Sequence, residues 1–227
     1  HPLLLEGETA TSKTSGIEYL AMLTGHEVAR FNFNGQTDTS EMIGKYVPND
    51  QQATIEFNEA IKNQHLLSSA SKEILARARE QIRGLTLVES KRLAEELGMK
   101  ITEWRWQDGI VVDAIKKGKW LILDEINLGE QQIRERLNSL LEKVPSLTLS
   151  ENGGVILKVL TPEEKELYDK GELQGIEPIG EGFQIFGTMN PAEYVGRLPM
   201  SPAEKNRWVE QMVVPMPNAD QYREMMN

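Results

Sequence analysis

Four short segments carry side chains that could do chemistry together. The first is Gly7-Glu8-Thr9-Ala10-Thr11-Ser12-Lys13-Thr14. Backbone N–H groups at a helix start attract phosphate oxygens. A lysine there reaches the terminal phosphates, and the hydroxyl after it can ligate Mg²⁺. Ser12 stands where such a loop would carry its second glycine. If that position needs a positive φ, a residue with a Cβ costs on the order of 1 kcal/mol. The second segment, Lys119-Trp120-Leu121-Ile122-Leu123-Asp124-Glu125, is an apolar run ending in two acids. Asp124 could complete a metal shell, and Glu125 could orient and activate water. The third, Phe186-Gly187-Thr188-Met189-Asn190-Pro191, ends an apolar run on an amide that could position the same water. The fourth is Ser201-Pro202-Ala203-Glu204-Lys205-Asn206-Arg207-Trp208. Its Ser-Pro opens a helix as N-cap and N1, and Arg207 falls at the far end. Each segment also has a plainer reading: a strand–turn–helix, a solvated strand end, an Asx turn before proline, and a helix-end charge.

These groups need elements that bring them to one place. Leu3–Leu5, Val28–Phe33, Trp120–Leu123, Phe183–Met189 and Met212–Val214 read as short strands. Helical patterns lie between them, beginning with Lys13–Leu23. Continuous apolar strands spaced by helices predict a parallel sheet covered on both faces. An acid at the C-terminal end of a central strand then lies in the crevice where such sheets bind ligands. Two regions interrupt the pattern. Residues 52–118 read as helices near 52–64, 70–83, 88–98 and 109–117, with Trp104 and Trp106 leading into the last. Residues 145–182 hold Leu147-Thr148-Leu149 and Val155-Ile156-Leu157 around Asn152-Gly153-Gly154, a hairpin signature. A short polar helix near 162–170 follows, and then a Gly/Pro-rich stretch, Gly171 to Gly182, that reads as a surface loop.

Composition narrows the function classes. With 39% hydrophobic and 26% charged residues among 227, the chain can bury a sizeable core as a globular domain. No apolar run approaches the roughly 20 residues of a membrane span, and His1 to Gly7 lacks the basic flank of a signal peptide. The absence of cysteine excludes a disulfide scaffold, a thiolate metal site and a cysteine nucleophile, and is compatible with a cytoplasmic setting. The net charge of −10 argues against a generally basic nucleic-acid surface. The tight basic cluster Lys116-Lys117-Gly118-Lys119 reads as a solvated helix end. His1, His26 and His65 have no metal spacing, and Trp104, Trp106 and Trp120 are expected to pack a core.

In their order, the four segments resemble the AAA+ family, in particular its midasin-like, dynein-related and MoxR-like branch. The likeness runs over nearly the whole chain and is densest at 3–46, 104–142 and 183–210. Gln36-Thr37-Asp38, Gly44-Lys45-Tyr46-Val47-Pro48, Trp106-Gln107-Asp108-Gly109, Asp124-Glu125-Ile126-Asn127-Leu128 and Thr188-Met189-Asn190-Pro191-Ala192-Glu193-Tyr194 look like that branch too. The resemblance implies an α/β P-loop NTPase: a five-stranded parallel sheet with helices on both faces, a helical insert at about 50–103 and a β-hairpin insert at about 145–182. Residues 1–227 would then be one nucleotide-binding core without its C-terminal lid, a piece of a larger protein. Walker A would fall on Gly7, Glu8, Thr9, Ala10, Thr11, Ser12, Lys13 and Thr14, and Walker B on Asp124 and Glu125. Sensor 1 would fall on Asn190, and an arginine acting in trans on Arg207. The implied ligands are ATP and Mg²⁺, the metal resting on Thr14 and Asp124. Lys13, Glu125, Asn190 and Arg207 would carry catalysis. Pro191-Ala192-Glu193 favours ATP over GTP. The branch further implies a hexameric ring acting on a protein client, which in this branch often carries a von Willebrand A domain. Two alternatives stay open: a nucleic-acid-directed translocase, and a nucleotide-gated scaffold with little hydrolysis.

Overall fold

Leu3, Leu4 and Leu5 favour an extended conformation because a strand can bury their side chains on both faces of a sheet. A computed structural model of the protein describes residues 1–48, 60–80, 86–97, 104–193, 196–216 and 218. Within these residues the strands are β1 (Leu3–Gly7), β2 (Val28–Asn32), β3 (Gly44–Pro48), β4 (Trp104–Asp108), β5 (Trp120–Asp124), β6 (Ser146–Leu149), β7 (Val155–Lys158), β8 (Ile176–Pro178), β9 (Gln184–Met189) and β10 (Glu210–Val214). Five of them form one sheet in the order β10-β1-β9-β5-β2, and every pairing in it is parallel. The fold class is therefore α/β with a five-stranded parallel sheet.

Register decides which residues share a face. Leu5 pairs with Thr188, Ile122 with Phe186, and Arg30 with Ile122. Leu5, Trp120, Ile122 and Phe186 meet Ile17 and Ala21 of the helix Lys13–Thr24 in one buried cluster. On the opposite face Gly187 of β9 lies against Leu4 and the Trp208 ring; an added Cβ would sit 2.7 Å from that ring. Burying a side chain as large as Trp208, 2% exposed, anchors the segment that carries Arg207.

The chain divides into two compact units, His1–Lys45 with Asp108–Asn227, and Tyr46–Gln107. In the second, the helices Ser69–Glu80 and Leu87–Glu96 close over a small core of Ala60, Leu67, Ile74, Leu75, Ala78 and Leu93. Thr86 and Glu89 form a capping box at the start of the latter helix. Residues 52–59, 81–83 and 98 of the expected helices lie outside the described residues, as do Tyr194, Met225 and Met226. Among the described residues no helix is long and apolar enough to cross a membrane.

Three expectations need correction. Trp104 and Trp106 do lead into a helix, Ile110–Lys117, but they lie on a strand of their own, β4, which pairs with β3. Trp104 is not a core residue, since it is 56% exposed; alternate positions of a two-stranded ribbon face solvent. The stretch from Gly171 to Gly182 is not only loop. Ile176–Pro178 joins β7 in parallel and extends the hairpin β6–β7 to three strands. A three-residue strand is too short for alternation to reveal it. Lys116 is not simply solvated, because it bonds Asp108 and Glu177, each at 2.9 Å.

Candidate active site

The turn from β1 to the first helix is held in an unusual conformation. Ala10 and Ser12 both have positive φ, 65° and 59°. Ser12 is the N-cap of the Lys13–Thr24 helix and makes no side-chain capping bond. The second-glycine position thus does adopt left-handed backbone, and serine there carries the penalty anticipated from its Cβ. Gly7 serves close approach: a Cβ on it would stand 2.5 Å from the Val214 carbonyl oxygen of β10. The buried Thr11 hydroxyl donates to the Glu8 carbonyl at 2.8 Å and braces the loop. The first-turn amides beyond it have no acceptors within the helix and lie at its positive end.

Lys13 folds over this loop. Its ammonium donates to the carbonyl oxygens of Gly7 at 2.9 Å and Glu8 at 2.8 Å, and to Asn190 Oδ1 at 2.9 Å. Burial holds the Lys13 ammonium below the ordinary lysine value; attraction to Glu125, Asp124 and Glu8 opposes this, and repulsion from Arg197 adds to it. Thr14 Oγ1 donates to Asp124 Oδ1 at 3.0 Å. Asp124 also accepts from Arg30 and Thr188. Burial pushes the Asp124 carboxyl up, but the bonds from Thr188, Arg30 and Thr14 outweigh it and hold the group below the usual carboxylate range. Asp124 is therefore an anion in place beside the Thr14 hydroxyl, the hard-oxygen donor pair that Mg²⁺ takes with waters and phosphates.

Glu125 has φ 53°, which turns its side chain off the end of β5. Its Oε1 accepts from Asn190 Nδ2 at 2.7 Å and its Oε2 from Arg197 Nη2 at 2.7 Å. Asn190, 2% exposed, thus bridges Lys13 and Glu125. Asn127 ties this end of the sheet together, donating through Nδ2 to the Asn190 carbonyl and accepting from the Leu198 amide, each at 2.8 Å. Thr9 to Ser15, Arg30, Asp124, Glu125 and Asn190 line a cleft of about 270 Å³.

Of the residues singled out from sequence, the structure brings Lys13, Thr14, Asp124, Glu125 and Asn190 to this cleft with the loop. It does not bring Arg207. That side chain pairs with Glu142 and does not line the cleft. Arg30, Thr188 and Arg197 were missed. Thr188 had a signal, since it lies on β9 two residues before Asn190, the spacing that puts side chains on one side of an extended chain. A lone charge within Val28-Ala29-Arg30-Phe31 was a hint for Arg30. Arg197 sits in a loop without periodicity and had none.

A model of the AAA domain, dynein-related subfamily, matches residues 2–208. The chain belongs to this family. Among its relatives, midasin of Giardia intestinalis is 27% identical over 207 residues, 91% of this chain and 4% of that protein. Midasin of Dictyostelium discoideum is 27% identical over the whole chain and is covered over 3% of its own length. The chain thus spans a small fraction of these relatives. A crystal structure of a Cytophaga hutchinsonii protein assigned as an ATPase shares the fold, with a TM-score of 0.54 at 15% identity, covering 99% of this chain and 44% of that one. Membership places the chain among the AAA+ P-loop ATPases, which bind nucleotide, usually with Mg²⁺. Asp124 as a fixed anion beside Thr14, under a loop of helix-start amides, is a donor set suited to both.

Proposed function

We propose that this AAA+ module hydrolyses ATP within a ring, and that hydrolysis drives the remodelling of a protein client. The single observation that carries the reading is the convergence of Lys13, Thr14, Asp124, Glu125 and Asn190, from three separate segments of the chain, on one strand-end cleft. In this reading the loop Gly7–Thr14 receives the phosphates, with Lys13 leaving its carbonyl partners for the terminal ones. Thr14 and Asp124 are the residues to hold Mg²⁺, which when bound neutralises charge on the phosphate oxygens. Glu125 accepts the proton of the attacking water, and Asn190 fixes that water against it. Arg207, exposed and outside its own cleft, exchanges Glu142 for the γ-phosphate of a neighbouring subunit in this reading. A hexameric assembly, a client bearing a von Willebrand A domain and a cytoplasmic location belong to the same reading.

The nucleic-acid alternative loses support because Lys116, Lys117 and Lys119 are engaged with carboxylates. The scaffold alternative keeps one supporting observation, the left-handed Ser12. ATP turnover tests the reading, wild type beside Lys13→Ala and Arg207→Ala. Turnover lost in both, with Arg207→Ala rescued in mixed assemblies, is the expected result. Nucleotide bound by the wild type but never turned over would favour the scaffold.

A further inference from the structure

Arg197 stands beside the cleft, and the hydrolytic roles above leave it unused. Its side chain is only 12% exposed, and its guanidinium bonds the Glu125 carboxylate at 2.7 Å. The other Glu125 oxygen is held by Asn190, whose amide oxygen accepts in turn from Lys13. Lys13, Asn190, Glu125 and Arg197 therefore form one continuous chain, from the ammonium that would meet the terminal phosphates to the guanidinium on the far side of the base. Arg197 is close enough for its charge to be felt at Lys13, which puts it within electrostatic reach of those phosphates.

This arrangement makes Glu125 a poor water-positioning group as it stands, because both its oxygens already hold donors. It also gives Arg197 a choice of partners. A guanidinium pairs with phosphate as readily as with carboxylate, in the same forked geometry, and a terminal phosphate carries more negative charge than one carboxylate. Leu198 is pinned to the Asn127 carbonyl at 2.8 Å, while Gly196, just before Arg197, has φ 82° and, among the described residues, nothing within 4 Å of where a Cβ would stand. A long side chain anchored there can swing between two acceptors.

We propose that Arg197 is a positioning residue that senses the γ-phosphate. It holds Glu125 while the cleft lacks a terminal phosphate, and passes to that phosphate when a nucleoside triphosphate binds, freeing Glu125 to orient water. The inference rests on the reading of this cleft as an ATP site.

The test is equilibrium binding of Mg²⁺-ADP and of a non-hydrolysable Mg²⁺-ATP analogue, each followed by a fluorescent derivative. The proteins compared are wild type, Arg197→Ala, Arg197→Gln, Arg197→Lys, Glu125→Ala and the double variant Arg197→Ala/Glu125→Ala. ADP affinity is expected to stay within about twofold throughout, because no γ-phosphate contact is involved. Arg197→Ala and Arg197→Gln weaken the analogue about tenfold or more, the loss of a charge-assisted pair, and Arg197→Lys restores part of it. Glu125→Ala tightens the analogue by releasing the guanidinium, and the gain disappears in the double variant. Equal weakening of ADP and analogue would reduce Arg197 to a structural role and overturn the proposal. A Glu125→Ala gain that persists without Arg197 would also overturn it, since simple removal of a negative charge would then suffice. Should Arg197→Ala fail to fold, Arg197→Gln, which keeps most of the volume, decides. A wild type that binds neither nucleotide overturns the site reading itself, and this inference with it.

Discussion

Replacing Arg134 with methionine is expected to destabilise the protein severely while leaving every residue of the cleft in place. Arg134 and Glu204 are 5% and 6% exposed, and their Nε–Oε1 distance is 3.0 Å. Arg134 also donates to the Gly129 carbonyl at 3.0 Å, and the second oxygen of Glu204 accepts from the Ser201 amide at 2.8 Å. Burial raises the Glu204 carboxyl, but the Ser201 amide and Arg134 outweigh it and keep the group below its ordinary value, so it is charged at neutral pH. Without Arg134 that buried charge keeps one donor for two oxygens, and the Gly129 carbonyl loses its partner. Breaking a buried pair from one side costs about 3–5 kcal/mol, against a total stability of about 5–15 kcal/mol. At about 2–4 °C per kcal/mol for a chain of this size, the melting temperature falls by about 6–20 °C. Glu204→Leu strands the guanidinium and destabilises by the same mechanism. The double variant Arg134→Met/Glu204→Leu buries no charge and recovers most of the loss, with a coupling energy of about 2 kcal/mol or more. The assay is denaturant unfolding of all four proteins, followed by tryptophan fluorescence. A single variant costing under about 1 kcal/mol, or a double variant equal to the sum of its parts, refutes the reasoning.

Other perturbations test separate parts of the structure. Gly187→Ala puts a Cβ 2.7 Å from the Trp208 ring and 2.9 Å from Leu4; overpacking of this kind costs about 1–3 kcal/mol, and denaturant unfolding measures it. Ser12→Gly relieves about 1 kcal/mol of left-handed strain but adds about 0.5–1 kcal/mol of unfolded-chain entropy. Its unfolding free energy is therefore expected to stay within about 0.5 kcal/mol of wild type, and a gain of several times that would contradict the balance. Asp124 has a folded pKa below its unfolded value. The stability it contributes is present above the unfolded value of about 3.9 and is lost as pH falls through the folded one. Acid unfolding curves should therefore fall less steeply below about pH 4 in Asp124→Asn than in wild type.

The strands and helices that build the cleft were legible because their information is local. Leu3–Leu5, Trp120–Leu123 and Phe183–Met189 announce buried parallel strands by apolar runs alone, and Asn152-Gly153-Gly154 marks its turn by residue type. Asp124, Glu125 and Asn190 stood out for the same reason, as polar residues at the ends of such runs. The β8 strand, the β3–β4 ribbon and the exposure of Trp104 were not legible, because three to five residues hold too few periods to separate strand from loop.

The sequence by itself determined the α/β class, the Gly7–Thr14 turn before a helix and the acids that end the central strand, since each depends on residues adjacent in the chain. Only the tertiary structure decided that Asn190 bridges Lys13 to Glu125, that Arg30 and Thr188 converge on Asp124, and that Arg197 grips Glu125. It also decided that Gly7 is needed for the approach of β10 rather than for its own φ. Those relations depend on parallel register and on loops folding back over strand ends, and contacts between residues far apart in the chain leave no periodicity along it.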